Sequence, residues 1–226
     1  MLTIVFDLDG TLIDTAPDLV DTLNLILTQE GLAAIPFEAA RNLIGGGAKV
    51  MIERALVAEG RNPAAEMDRV YPAFIAHYAA HIADRSRPFA ALETTLDCLA
   101  SAGHRLAVCT NKLEWLSVRL LETLKLSQRF AAICGQDTFG VQKPNPDMFR
   151  RTVRRAGGEP AEAIMVGDSR TDIDTARAAG VPMVAVDFGY SDVPIATLGP
   201  DRLISTFADL PAVIGELAAA HRAGKA

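Results

Sequence analysis

Two aspartates separated by one residue stand where an apolar run ends. Leu2 to Phe6 is aliphatic and aromatic, and it gives way to Asp7-Leu8-Asp9-Gly10-Thr11. A short apolar run closed by a turn-forming glycine reads as a buried strand opening into a turn. While such a chain stays extended, side chains at i and i+2 point the same way, so Asp7 and Asp9 can face one small volume. Two carboxylates ~4 Å apart repel by roughly 1 kcal/mol in water and about 4 kcal/mol at the effective dielectric near a protein surface. A sequence that keeps such a pair supplies a cation, shares a proton, or uses the pair for chemistry. The plainer alternative is an acidic turn after a strand.

Three more polar groups follow apolar segments in the same way. Thr110-Asn111 ends the run Leu106 to Cys109, Lys143-Pro144-Asn145-Pro146 precedes a helical pattern, and Gly167-Asp168-Ser169-Arg170-Thr171-Asp172 ends Ala163 to Val166. Taken singly, these read as a helix cap, a surface loop and a solvated helix start.

The elements that would carry these groups alternate. From Leu92 onward helices alternate with strands at 106–111, 131–134, 163–166 and 181–186, and a final amphipathic helix spans about Phe207 to His221. Alternation of this kind implies a parallel sheet with helices on both faces, and such sheets bind ligands beyond the carboxyl ends of their strands. The segment between Asp14 and Pro88 is different. It is helical throughout, with breaks at Pro36, at Gly45-Gly46-Gly47 and at Asn62-Pro63. At about seventy residues it is too long for a loop. The expected fold class is therefore α/β, a Rossmann-like parallel-sheet core formed by residues 1–14 and 88–226, with an all-helical domain inserted at 15–87. Hinges are expected near Asp14–Pro17 and Ser86–Phe89, with Thr15 capping the first inserted helix and Asp18 as its capping-box acid.

The chain has 226 residues, 22 basic and 28 acidic, for a net charge of −6. Nucleic acid is not an expected partner, because Arg150, Arg151, Arg154 and Arg155 form one solvated helical face rather than a basic footprint. No run approaches the ~18 apolar residues of a membrane span, and the N-terminus lacks a charged and apolar leader pattern. Cys98, Cys109 and Cys134 are odd in number and read as buried free thiols, which places the chain in the cytoplasm. His77 and His81 have metal-compatible spacing but no third ligand, so a plain helical face is expected. Trp115, Leu116 and Leu120 are expected in packing.

Taken together and in this order, the four polar groups resemble motifs I to IV of the haloacid dehalogenase superfamily. The likeness extends through Asp9 to Thr15, Ile44 to Ala48, Thr110-Asn111-Lys112, Lys143 to Asp147, Gly167 to Asp172 and Phe188-Gly189-Tyr190. Within that superfamily it is similar to the phosphoglycolate phosphatases and their neighbours, which carry a helical C1-type cap after motif I. The resemblance implies a Mg²⁺-dependent phosphomonoester hydrolase working through an aspartyl-phosphate. Asp7 would be the nucleophile and Asp9 the general acid and base. Mg²⁺ would be held by Asp7, the Asp9 main-chain carbonyl and Asp168, with Asp172 orienting a metal water or Lys143. Thr110, Asn111 and Lys143 would bind the phosphoryl group. The partner would be a small phosphorylated metabolite, most simply 2-phosphoglycolate.

The cap is expected to close over the site and select the substrate. Gly45, Gly46 and Gly47 precede a helical run from Lys49, where main-chain N–H groups can approach an anion. The expectation is contact with the carboxylate or another part of a small phosphorylated acid, with Arg41 and Lys49 as helpers; a flexible interhelix turn is the alternative. Rival activities are a phosphatase for a sugar phosphate, nucleotide or pyrophosphate, and a β-phosphoglucomutase-like mutase. A regulatory receiver domain fits less well, having no use for Asp9 or a cap. A dehalogenase has no need of Asp9 either. The chain suffices as a monomer, and a homodimer is equally compatible.

Overall fold

The computed structural model describes residues 1–223. Its strands are β1 (Thr3–Phe6), β2 (Ile13–Asp14), β3 (Arg87–Pro88), β4 (Arg105–Cys109), β5 (Ala132–Cys134), β6 (Ala163–Gly167), β7 (Met183–Val186) and β8 (Arg202–Ile204). Its helices are α1 (Ala16–Gln29), α2 (Phe37–Arg41), α3 (Ala48–Ala58), α4 (Pro63–Ala80), α5 (Leu92–Ser101), α6 (Glu114–Thr123), α7 (Pro146–Arg155), α8 (Arg170–Ala179) and α9 (Leu210–Ala223). Six strands form one sheet in the order β5-β4-β1-β6-β7-β8. Every neighbouring pair is parallel. The protein has the α/β, Rossmann-like fold expected from the alternation of elements.

Parallel strands covered on both faces read as continuous apolar runs, and β1 does. Its alternate residues enter two separate cores. Ile4 and Phe6 join Leu106, Val108, Ile164 and Val166 beneath α5 and α9, where Leu96, Leu99, Leu210 and Ile214 pack. Val5 joins Ala107, Cys109 and Met165 beneath α7 and α8, where Phe149, Val153 and Ile173 pack. Neither core has room for a polar residue in the middle of β1. The first acid therefore falls at the strand's carboxyl end, between β4 and β6.

Helices α1 to α4 pack on one another through Leu23, Leu27, Ala40, Ile52, Leu56, Val70 and Phe74, all buried. The chain enters and leaves this helical group through β2 and β3, an antiparallel ribbon pairing Ile13 with Pro88 and Asp14 with Arg87. Among the described residues no helix is long and apolar enough to cross a membrane.

Several local expectations need correction. Thr15 makes no cap hydrogen bond to α1; its hydroxyl donates instead to Asp9 Oδ1 at 2.8 Å. Asp18 does not complete a capping box. Its carboxylate accepts the Arg85 and Ser86 main-chain N–H groups and the Ser86 hydroxyl, the last at 2.6 Å. Thr15 is thus drawn back to the preceding turn, and Asp18 to the outgoing linker some 67 residues on. Cys98 is exposed whereas Cys109 and Cys134 are buried. Leu116 and Leu120 are buried as expected, but Trp115 is 45% exposed because it lies one position off the buried stripe of α6.

Candidate active site

Asp7 follows β1 directly, and its N–H continues the ladder to the Val166 carbonyl at 2.9 Å. Its Oδ1 accepts the Leu8 N–H at 2.7 Å and lies 2.8 Å from Lys143 Nζ. Lys143 comes from the loop between β5 and α7, and it is 2% exposed. Its ammonium also donates to Asp172 Oδ1 at 2.7 Å. Asp172 sits at the third position of α8 and closes a capping box with Ser169, whose hydroxyl donates to Asp172 Oδ2 at 2.6 Å. That cap fixes one oxygen and leaves the other for Lys143.

Asp168 ends β6. Thr11 donates to its Oδ1 and the Tyr190 N–H to its Oδ2, each at 2.7 Å. Gly10 permits this approach: at φ 82 a Cβ there would lie 2.5 Å from Asp168 Oδ2. Asp7, Asp168 and Asp172 each offer an oxygen within 4.8 Å of the others. Burial raises the Asp7 carboxyl to about 6; Lys143 opposes the rise and Asp172 adds to it. Burial, then Asp172 and Asp7, raise Asp168 to about 8. Burial disfavours the charge on Lys143, but Asp172 and Asp7 outweigh it and hold the ammonium pKa above its ordinary value.

Three buried carboxylates thus stand together with one ammonium, which pairs with Asp7 and Asp172 and leaves Asp168 without a cationic partner. This donor set suits a small hard divalent cation, which prefers oxygen ligands. Asp172, expected as an orienting partner, stands as close to this cluster as the other two acids while holding Lys143.

Asp9 stands apart from the three. Lys112 Nζ donates to its Oδ1 at 3.0 Å and its Oδ2 at 3.1 Å. The same ammonium donates to the Tyr78 hydroxyl of α4 at 2.9 Å. Asn111 clamps the Lys143 loop reciprocally: its Nδ2 donates to the Lys143 carbonyl at 3.1 Å and its Oδ1 accepts the Lys143 N–H at 2.9 Å. Thr110, 2% exposed, accepts the Lys112 N–H through its hydroxyl at 3.2 Å.

A cavity lies between the strand ends and the helical group. Asp7, Asp9, Thr110, Asn111 and Lys112 line it from the sheet side, and Gly45, Gly47, Phe74 and Tyr78 are among those lining it from the helices. Gly46 and Lys49 line a separate groove with Met67 and Asp68. Arg41 turns away from the cavity; its guanidinium donates to the Phe188 and Gly189 carbonyls at 3.3 and 2.6 Å. His77 and His81 stack with centroids 4.4 Å apart on α4, and His77 bonds Thr22.

Lys112, Tyr78 and Tyr190 are among the polar residues of this region that sequence reasoning left without a role. Lys112 follows Thr110-Asn111 directly and could have been picked as a third polar residue at a strand end. Tyr78 lies in an apolar helical stripe and gave no signal. Tyr190 acts partly through its main chain, which no side-chain pattern announces.

The model of the haloacid dehalogenase-like hydrolase family matches residues 4–186, and the chain belongs to that family of hydrolases. It is 49% identical over 214 residues to a phosphoglycolate phosphatase of Mesorhizobium japonicum, covering 94% of each chain. It is 48% identical over 215 residues to one of Agrobacterium fabrum, covering 94% of this chain and 92% of the relative. A crystal structure described as a predicted phosphoglycolate phosphatase from Haemophilus somnus superposes with a TM-score of 0.89 at 30% identity, covering 95% of this chain and 98% of the other.

Proposed function

We propose that the protein hydrolyses a small phosphomonoester, 2-phosphoglycolate, with Mg²⁺ and through phosphorylation of Asp7. The observation that carries this reading is the buried Asp7–Lys143–Asp172 chain beside Asp168, its Asp7 lining a cavity roofed by helices. The names of the relatives support the substrate.

Phosphomonoester hydrolysis is among the slowest uncatalysed reactions, so the site must supply accelerations up to ~10²¹. A carboxylate nucleophile divides it into two displacements. Asp7 attacks phosphorus; the Leu8 N–H and the Lys143 ammonium hold its Oδ1 at 2.7 and 2.8 Å, which fixes the carboxylate's orientation. Asp9 protonates the leaving oxygen and then takes a proton from the water that attacks the phospho-aspartate. Thr110 and the Asn111 main chain bind phosphoryl oxygens. Lys143 offsets their charge, held in place by Asp172 and the Asn111 clamp. Asp7, the Asp9 carbonyl and Asp168 would hold Mg²⁺, which supplies neutralisation of the phosphoryl charge so that an anionic nucleophile can approach. Residues 15–87 act as the cap, the ribbon of β2 and β3 as its hinge. A cytoplasmic setting accords with the three free cysteines.

The test is phosphate release from 2-phosphoglycolate, hexose phosphates, nucleotides and pyrophosphate, with and without Mg²⁺. A preference for 2-phosphoglycolate of about a hundredfold in kcat/KM, roughly 2.7 kcal/mol, is expected. Transfer of phosphate back to substrate in product analysis would replace hydrolysis by a mutase. Asp7→Asn is expected to lower turnover by about 10³-fold or more with no loss of thermal stability, since it removes one of three crowded carboxylates. Retained turnover in that variant removes Asp7 as the nucleophile.

A further inference from the structure

The cavity that roofs Asp7 is mostly apolar. Leu19, Ile44, Met51, Phe74, Ile75 and Leu116 form much of its wall. A substrate carrying a second anionic group beside its phosphate would place that group against these side chains. A buried carboxylate stays ionised only when paired and hydrogen-bonded. Among the described residues lining the cavity, Lys112 is the one cation. The two basic side chains suggested by the sequence lie elsewhere, Arg41 on the Phe188 and Gly189 carbonyls and Lys49 in the neighbouring groove.

Lys112 is built to hold its position. It is 6% exposed. Its N–H donates to Thr110 Oγ1 at 3.2 Å, and its carbonyl accepts the Gln136 N–H at 3.0 Å. Its ammonium lies 4.4 Å from the Tyr78 ring centroid and donates to the Tyr78 hydroxyl. The cap loop presses on the same turn: at Gly47, φ 87, a Cβ would come within 2.8 Å of the Asn111 carbonyl oxygen.

We infer that Lys112, with the Tyr78 hydroxyl, forms the subsite for the second anionic group of the substrate, a carboxylate, and so sets specificity. The inference deepens the proposed function and rests on that reading. An ammonium has three donors, and here two of them grip the two oxygens of Asp9. Releasing one Asp9 oxygen frees a donor for the incoming carboxylate, while Thr15 still holds Asp9 Oδ1 at 2.8 Å. The Tyr78 hydroxyl accepts from Lys112, so its own proton is available to the same carboxylate. Burial, with Asp9 and Asp18 nearby, holds the Tyr78 pKa well above its ordinary value, which keeps that proton in place. Recognition thereby joins a core residue to a cap residue, and a phosphoester without a carboxylate makes neither contact, leaving Lys112 on Asp9.

The experiment measures binding of two non-hydrolysable phosphonates, 3-phosphonopropionate and propylphosphonate, by calorimetry with Mg²⁺ present. Wild-type protein is expected to favour the carboxylate-bearing ligand by about tenfold or more. In Lys112→Met that ratio falls to near one. In Tyr78→Phe, which leaves the Lys112–Asp9 pair intact, it falls about threefold. Lys112→Arg retains part of the preference and serves if the methionine variant does not fold. A purely structural role, neutralising Asp9, would weaken both ligands equally and leave the ratio unchanged. An unchanged ratio in Lys112→Met and Tyr78→Phe, or no preference in the wild type, overturns the inference. Absence of phosphate release from every ester overturns the phosphatase reading instead, and the binding ratio does not depend on turnover.

Discussion

Lys143 divides its charge between Asp7 and Asp172, and Asp168 has only neutral donors, Thr11 and the Tyr190 N–H. The pH dependence of this cluster follows from its raised carboxyls. Asp7 at about 6 and Asp168 at about 8 hold protons more tightly folded than unfolded. Their contribution to stability is therefore full below the ordinary carboxylate range, about pH 4, and is lost as pH rises through 6 and then 8. A divalent cation favours the ionised forms and reverses that loss. Mg²⁺ is expected to raise the melting temperature by about 5–10 °C at pH 8 when present well above its Kd, and by much less at pH 5. Thermal scans at the two pH values check this, and equal shifts would contradict it. Asp7 and Asp168 stood out in the sequence because each follows an apolar run, whereas Asp172 lies within a polar helix start. The Asn111 clamp was not legible: an amide that bonds a main chain 32 residues away looks like any helix cap.

The elements that were easiest to read are the long periodic ones, and the missed ones are short. Both β2 and β3 have two residues, and β8 has three with Leu203 exposed, so neither alternation nor an apolar run marks them. Asp18 illustrates the related failure of local rules. At the start of α1 its position suggests a cap, yet its partners are the main chain of Arg85 and Ser86, across the two strands of the ribbon's chain crossing. The acid ties the entry of the helical group to its exit. Asp18→Ala would leave two N–H groups and a hydroxyl with no acceptor, at an expected cost of about 2–4 kcal/mol. Asp18→Asn, with one acceptor oxygen in place of two, should cost less. Urea denaturation measures both, and a loss below about 1 kcal/mol for the alanine would show that the tie is dispensable.

At the scale of the whole molecule, the parallel sheet was legible because its strands are buried on both sides and separated by amphipathic helices. Which side chains join the helical group to the strand ends was not, because contacts such as Lys112 with Tyr78 join residues that share no pattern. The segment Phe188 to Tyr190 is another such junction. Its main chain holds Asp168 through the Tyr190 N–H and takes Arg41 of α2 on the Phe188 and Gly189 carbonyls. The Tyr190 hydroxyl donates to Asp14 at 2.6 Å and accepts the Ala16 N–H at 2.9 Å, where the chain enters the helical group. One residue therefore touches Asp168 and the proposed hinge at once. Where such a residue couples two binding or closing events, the coupling is reciprocal. Closing the helices over a substrate and filling the acidic cluster should each make the other easier, by an equal factor. Mg²⁺ titrations with and without 3-phosphonopropionate would give that factor, and Tyr190→Phe, which keeps the N–H to Asp168 but removes the hinge bonds, should bring it towards one.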